Sequence, residues 1–236
     1  MACLFSGSSI DDVESPGVEY MYYGAEATHD DGDIWNRVRN VLAKESPAPQ
    51  RIFEIGCGNG FTARRLKVIG YDVIGIDPSK SGVEHGRRND PDLQLFEGSA
   101  YDDLQKKYGR FPVVISLEVI EHCYDPRTFI RRFYELLEPG GIGIISTPYH
   151  GYLKNLAIAV LGKFDKQFTA LWDGGHIKFF SINTLTALLN EAGFENLRFY
   201  RVGRVPIFAK SMVAVFRKPV FGVPPSGGPS QFRSEP

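Results

Sequence analysis

Apolar residues recur along this chain in two alternating rhythms. Ile34, Val38, Val41 and Leu42 stand at the spacing of one buried helical face. The run Ser46-Pro47-Ala48-Pro49 stops that helix, because a proline pushes the residue before it out of the helical region. Short apolar bursts then predict strands over 51–55, 71–76, 93–96, 111–117 and 142–146, with helical patterns between them. One helix, over 61–69, is ended by Gly70. Another begins at Asp125, an N-cap with Pro126 behind it at the first helical position. It carries Phe129, Ile130, Phe133, Leu136 and Leu137 on one face and breaks at Pro139-Gly140-Gly141. Ser181 caps a helix with Leu185, Leu188, Leu189 and Ala192 in register, closed by Gly193. Strands around 197–202 and 212–216 complete the pattern. Strands alternating with helices imply an α/β fold, a doubly wound and mostly parallel sheet covered on both faces. The final two strands lack a helix-length separation and are expected to pair antiparallel.

The same pattern divides the chain. Residues 1–46 form an N-terminal cap segment and helix, 47–218 the main domain, and 219–236 a tail. Eight of the eighteen tail residues are Pro or Gly, so disorder is expected there. Within the domain, 149–176 is a long insertion after the fifth strand. Its Leu153, Leu156, Ala157, Val160, Leu161 and Phe164 fall at helical spacing, and Lys154, Lys163 and Lys166 are expected on the polar side. Three readings stay open for it: a packed surface helix, a substrate lid, or an interfacial membrane helix through 151–168.

Composition narrows the class. A length of 236 residues suits one domain. Twenty-seven basic residues against twenty-eight acidic ones, net −1, argue against an enveloping nucleic-acid surface. No apolar run reaches the roughly 18 residues of a membrane span. Residues 1–12 lack a basic segment followed by an apolar one. Cys3, Cys57 and Cys123 are too few and scattered for a disulfide framework or thiolate zinc site. The expected setting is the reduced cytoplasm.

The most informative segment is Ile52-Phe53-Glu54-Ile55-Gly56-Cys57-Gly58-Asn59-Gly60, a strand running into a glycine cluster and then a helix. Doubly wound sheets bind nucleotides at that place, where a strand's carboxyl end faces a helix N-terminus. The dinucleotide pattern needs glycine where Phe61 stands, and no Lys-Ser/Thr pair follows for a phosphate loop. The motif is E-x-G-x-G-x-G. The next strand ends in Asp77, whose carboxylate can accept hydrogen bonds from both hydroxyls of a ribose. Further on come Glu97-Gly98-Ser99-Ala100-Tyr101, then 111–122 with its E-x-x-E-H ending, then the 137–141 turn.

In this order and spacing, from Arg51 to Thr147, the chain resembles the class I S-adenosylmethionine-dependent methyltransferases. It is most similar to the quinol and phenol O-methyltransferase branch typified by the polyprenyl-hydroxybenzoquinol methylases. The resemblance implies a Rossmann-like sheet of seven strands, the last antiparallel, and S-adenosylmethionine as cofactor, with S-adenosylhomocysteine as product. It implies cofactor contacts from Glu54, Gly56, Gly58, Gly60, Asp77, Ser99, Ala100, Tyr101, Leu117 and Glu118. Glu54 suits the cofactor's ammonium and sulfonium better than a pyrophosphate. Two positions depart from the family pattern: Ser99 stands where an acid often edges the adenine, and Pro112 replaces an aspartate.

Methyl transfer is an in-line displacement, so alignment dominates, and a hydroxyl acceptor must also lose a proton. Of five histidines, His122, His150 and His176 belong to segments at the sheet's carboxyl edge. His176, beside Gly174 and Gly175 with Asp173 near to orient it, ranks first as base or substrate anchor, before His150 and His122. Nothing in their spacing demands a metal, and a metal-free transfer is expected. Tyr22, Tyr23 and Trp35 from the N-terminal segment are expected to face Tyr149, Tyr152 and Trp172 across the acceptor. These walls predict a small, apolar or aromatic acceptor, with O-methylation favoured over S-, N- or C-methylation. One alternative is a nucleic-acid methyltransferase. Ser116-Leu117-Glu118-Val119 stands where its Pro-Pro-aromatic motif belongs, and Thr147-Pro148-Tyr149 follows the wrong strand. The other alternative is a catalytically silent regulatory protein that binds the cofactor.

Overall fold

The computed structural model describes residues 32–168, 170–172 and 174–220. Tyr22, Tyr23, Asp173 and the 221–236 part of the tail lie outside the described residues. Helix α1 (Gly32–Glu45) leads into β1 (Arg51–Ile55), α2 (Phe61–Val68), β2 (Asp72–Asp77), α3 (Lys80–Asn89), β3 (Gln94–Glu97) and α4 (Leu104–Tyr108). β4 (Phe111–Leu117), α5 (Pro126–Leu136) and β5 (Leu137–Pro148) follow. After them come α6 (Tyr152–Val160), α7 (Phe164–Phe168), α8 (Ile182–Glu191), β6 (Glu195–Val202) and β7 (Ser211–Arg217).

The strands form one sheet in the order β3-β2-β1-β4-β5-β7-β6. β1 to β5 run parallel, and β7 is inserted antiparallel to both β5 and β6. Order reverses beside β1 and β4, the crevice where open α/β sheets take ligands. Alternation along each strand fills both faces. Val113 and Ile115 of β4 join the layer under α1, α2 and α3, whereas Val114 joins the one under α5 and α8. The expected seven-stranded Rossmann-like architecture is present.

Two local readings change. α5 stops at Leu136, and Leu137 pairs with Phe111, so β5 begins before the Pro139-Gly140-Gly141 turn. The extra residues are absorbed in a register shift between Phe111 and Val113, with Pro112 at the irregularity, where its missing N–H disturbs no ladder. The second change is in α6. Its single buried side chain is Lys154, and Tyr152, Leu153, Leu156 and Val160 point outward. The expected polarity of that helix is inverted.

Candidate active site

Gly56, Gly58 and Gly60 all have positive φ, at 80°, 52° and 73°. Only glycine takes these values without strain. A Cβ at Gly56 would run into the Val119 side chain, and one at Gly60 would sit 2.7 Å from Leu95 Cδ1. The loop is thus packed closely from behind. Asp77 closes it: Oδ2 accepts the Gly58 N–H at 2.8 Å and Oδ1 accepts the Ser79 N–H at 2.8 Å. Ser79 itself caps α3 through the Gly82 N–H. Asp77 therefore shapes the glycine loop as well as offering its remaining lone pairs to a ligand. Burial raises its pKa and the two N–H donors pull it back.

Glu54 lies beneath the same loop, 2% exposed, with Oε2 lacking a hydrogen-bond partner. Desolvation, and then the charge of Asp77, push its pKa up to about 8. A buried carboxyl in that state is a socket for a cation.

Ser99 and Ala100 are half-buried beyond β3. The Ser99 N–H donates to Asp102 Oδ2 at 2.9 Å, and its hydroxyl accepts the Tyr101 N–H at 3.2 Å. This places Asp102 at the turn in support of Ser99. The Tyr101 hydroxyl accepts the Asp125 N–H at 3.1 Å, which ties the β3 loop to the start of α5.

Beyond β4, Glu118 adopts φ 54°, the left-handed region that a non-glycine residue seldom enters. A clamp holds it there. Its N–H meets the Ser146 carbonyl at 3.1 Å, and the Ser146 hydroxyl donates to Glu118 Oε1 at 2.8 Å. The Ser211 hydroxyl donates to Oε2 at 3.3 Å. The carboxylate expected on the cofactor is thus fastened to β5 and β7. Leu117 and Glu118 line a cleft shared with Ile34, Trp35, Phe61, Thr62 and Arg65. Trp35 reaches it from α1, under the Arg65 guanidinium at 4.5 Å, so this predicted wall residue does stand beside the strand ends.

The turn after β4 supplies the second half of the site. Glu121 is fully buried, and neither carboxylate oxygen meets a well-formed hydrogen bond. Burial, then the neighbouring Glu118 charge, raise its pKa well above the ordinary range, which its own backbone N–H and then Thr147 offset only in part. His176 Nε2 lies 4.0 Å from Glu121 Oε1, and the His122 and His176 rings meet edge to face at 4.8 Å. His122 Nδ1 faces the Gly174 carbonyl at 2.9 Å and that of Gly175 at 3.3 Å. A carbonyl only accepts, so the Nδ1 of a neutral His122 carries the proton and Nε2 the lone pair. The Glu121 carbonyl accepts N–H groups of Ile177 and Lys178, both at 2.9 Å, drawing the glycine-histidine segment over the turn. Trp172, predicted as an acceptor wall, packs beside both rings at 6.0 and 5.5 Å.

Donor atoms of Glu121, His122 and His176 all lie within 4.8 Å of one another. One carboxylate and two imidazoles suit a divalent transition ion, and the unsatisfied oxygens of Glu121 fit that use. Glu121 is the residue that sequence reasoning passed over. Its signal was the E-x-x-E-H ending, which could be read only once His176 was seen to face it.

Three candidates sit elsewhere. His150 is buried between Phe168 and Phe179, with ring centroids at 5.9 and 5.1 Å, and no ring contact joins it to the other two histidines. Desolvation, with the Lys154 charge second, lowers its pKa to about 4, so it stays neutral and belongs to an aromatic box rather than the base cluster. Tyr149 is a core residue under the Arg201 guanidinium, and Tyr152 is exposed on the outer face of α6. Neither is among the residues that line the cleft: Tyr149 is packed in the core, and Tyr152 lies on the outward side of α6, away from the buried Lys154.

The topology, the glycine loop at the order reversal and the acid ending β2 define a class I methyltransferase architecture, whose cofactor is S-adenosylmethionine. Residues 27–198 match the family model of the methyltransferase domain, and the chain belongs to that family. The ubiquinone biosynthesis O-methyltransferase of Azorhizobium caulinodans is 34% identical over 154 residues, 61% of this chain and 58% of that one. The protein of the same name from Ruegeria pomeroyi is 32% identical over 162 residues, 65% of this chain and 64% of its own. The chain thus spans less than two thirds of the length of these curated relatives. Among solved structures, an S-adenosylmethionine-dependent methyltransferase from Archaeoglobus fulgidus superposes with TM-score 0.62 at 16% identity, over 78% of this chain and 93% of that one. Magnesium protoporphyrin IX methyltransferase from Synechocystis, solved with S-adenosylhomocysteine, gives TM-score 0.61 at 17% identity, over 78% and 82%. These two share the fold.

Proposed function

We propose that this chain transfers the methyl group of S-adenosylmethionine to a hydroxyl of a small, apolar or aromatic acceptor. The observation that carries this reading is a carboxyl–imidazole cluster, the buried Glu121 with the half-buried His122 and His176, beside a glycine loop built for a cationic nucleotide-like ligand. Similarity to relatives named ubiquinone biosynthesis O-methyltransferases supports a phenolic or quinol-type hydroxyl.

Gly56, Gly58 and Gly60 let the cofactor backbone approach, Asp77 takes the ribose hydroxyls and Glu54 balances the cationic end. The acceptor oxygen attacks the methyl carbon opposite sulfur. The C–S bond breaks, its electron pair stays on sulfur, and S-adenosylhomocysteine leaves. The hydroxyl proton passes to His176, whose imidazolium is stabilised by ionisation of Glu121 4.0 Å away. Burial keeps the Glu121 carboxyl protonated until the imidazolium forms beside it; the carboxyl proton is then released to solvent, leaving a carboxylate–imidazolium pair. His122, fixed by two glycine carbonyls, positions the His176 segment. A divalent ion held by Glu121, His122 and His176 would lower the acceptor hydroxyl's pKa. Trp35 and Trp172 supply aromatic surface, and α6 and α7 flank the entrance.

The test is incubation of the chain with methyl-labelled cofactor and a panel of catechols and hydroquinones, read by mass spectrometry with and without a chelator. A labelled methyl ether supports the proposal. Cofactor binding with no transfer to any acceptor would instead favour a regulatory protein.

A further inference from the structure

Lys154 is the buried side chain of α6, and its ammonium spans the open end of a strand ladder. β5 and β7 pair as far as Pro148 and Ser211, and the Tyr149 N–H adds one more bond, to the Lys210 carbonyl at 3.0 Å. The ammonium donates to the residues just beyond the last pair, to the Tyr149 carbonyl at 2.8 Å and the Lys210 carbonyl at 3.3 Å. Helix and strand end are thereby seated on each other. The residue after Lys210 is Ser211, whose hydroxyl donates to Glu118 Oε2 at 3.3 Å, and Glu118 lines the cleft with Trp35 and Arg65. One covalent step separates the carbonyl that seats α6 from the hydroxyl that holds a carboxylate of the cleft.

The two serines on Glu118 are held unequally. Ser146 lies inside β5, paired with Leu117 on one side and Val213 on the other, so the sheet fixes its hydroxyl. Ser211 is the terminal pair of β7 with both of its neighbours. Beyond it the chain is held by the Lys210 N–H on the Val202 carbonyl and by two donors on the Lys210 carbonyl, one of which belongs to α6. Charge points the same way. Burial, then the Arg204 guanidinium, lower the Lys154 pKa to about 8, and the Glu118 charge opposes them.

We propose that Lys154 is a positioning residue for Glu118: the seating of α6 on the strand ends sets the Ser211 hydroxyl and, through it, the carboxylate that borders the cofactor. This goes beyond the proposed methyl transfer and rests only on Glu118 bordering the bound cofactor. Coupling between two sites is reciprocal, so a ligand that orders Glu118 also tightens α6, with no contact between ligand and helix required.

Hydrogen exchange and calorimetry test the coupling without any acceptor. Exchange over 152–160 is followed with and without S-adenosylhomocysteine in the wild type, Lys154→Met, Ser211→Ala and the double variant. The ligand should slow exchange of α6 in the wild type. Lys154→Met should exchange faster in the free chain and lose the protection. Ser211→Ala should leave the free helix close to its wild-type rate, since the bonds that seat α6 run to the Tyr149 and Lys210 carbonyls, yet lose the protection as well. Each substitution should weaken S-adenosylhomocysteine about fivefold, the low end of coupling between linked sites, and the double variant no further than the weaker single one. Protection that persists in Ser211→Ala, or losses of affinity that multiply in the double variant, overturns the proposal. If Lys154→Met does not fold, the Ser211→Ala arm decides alone. Transfer to a catechol by the wild type reads the methyltransferase proposal separately.

Discussion

Two buried carboxyls, one under the glycine loop and one in the turn after β4, stand in unlike surroundings, and each sets its own pH dependence. Glu54 is neutral below its pKa of about 8 because burial and Asp77 oppose its charge. A cationic ligand requires the ionised form, so binding below that pH must release a proton. Affinity for S-adenosylhomocysteine should fall by up to tenfold per pH unit on going down from about 8, and Glu54→Gln should flatten the profile. Calorimetry in buffers of different ionisation enthalpy checks the proton release directly. In the proposed transfer step Glu121 pairs with His176. His176→Ala should lower kcat roughly 10²–10⁴-fold, the scale of a lost general base, with little change in cofactor affinity. Glu121→Gln should lower kcat and also move the pH–rate profile, a response that a merely structural carboxyl would not give. If metal supports the reaction, both variants should also lose their response to added divalent ion.

At the scale of an element, α6 depends on one internal cation. The Lys154 ammonium bridges the end of β5 and the strand entry at Lys210, and desolvation lowers its pKa to about 8. Lys154→Ala removes the donor from two carbonyls and frees the helix from the sheet. Limited proteolysis within 152–168 should accelerate several-fold while the thermal transition of the rest moves little. The sign with pH follows from the lowered pKa. The charged form is disfavoured in the folded chain, so this group's contribution to stability is constant below about pH 8 and rises with pH above it.

Over the whole molecule, the site exists because α1 is clamped to the far edge of the sheet. Glu45 at the end of α1 meets Arg198 of β6 at 2.7 Å and Arg217 of β7 at 3.2 Å. That clamp fixes the helix whose other end carries Trp35 into the cleft. The two arginines, Arg198 first, hold the Glu45 pKa below the usual carboxylate value. Stability from this network is therefore present above the unfolded pKa and is lost as pH falls through the folded one. Glu45→Gln should cost about 1 kcal/mol or less, since the arginines are partly exposed. Urea titration should show that cost at pH 7 shrinking toward pH 3. A weaker response of Trp35 fluorescence to S-adenosylhomocysteine should accompany it.

Local chemistry made the sheet, the glycine loop and Asp77 legible. Strand burial, turn glycines and caps such as Asp125 and Ser181 act over a few neighbouring residues, so they are written in consecutive positions. Only the tertiary structure decided the rest. His122 meets Gly174 across 52 residues of chain, and no spacing in the sequence announces that Glu121 and His176 will share a buried corner. That Glu118 would be held at the cleft by Ser146 of β5 and Ser211 of β7 is likewise not written in its neighbours along the chain. α6 has the periodicity of a packed helix, yet periodicity states which residues share a face and not which face meets the core. That choice fell to Lys154, because the carbonyls of Tyr149 and Lys210 needed a donor that a leucine cannot supply.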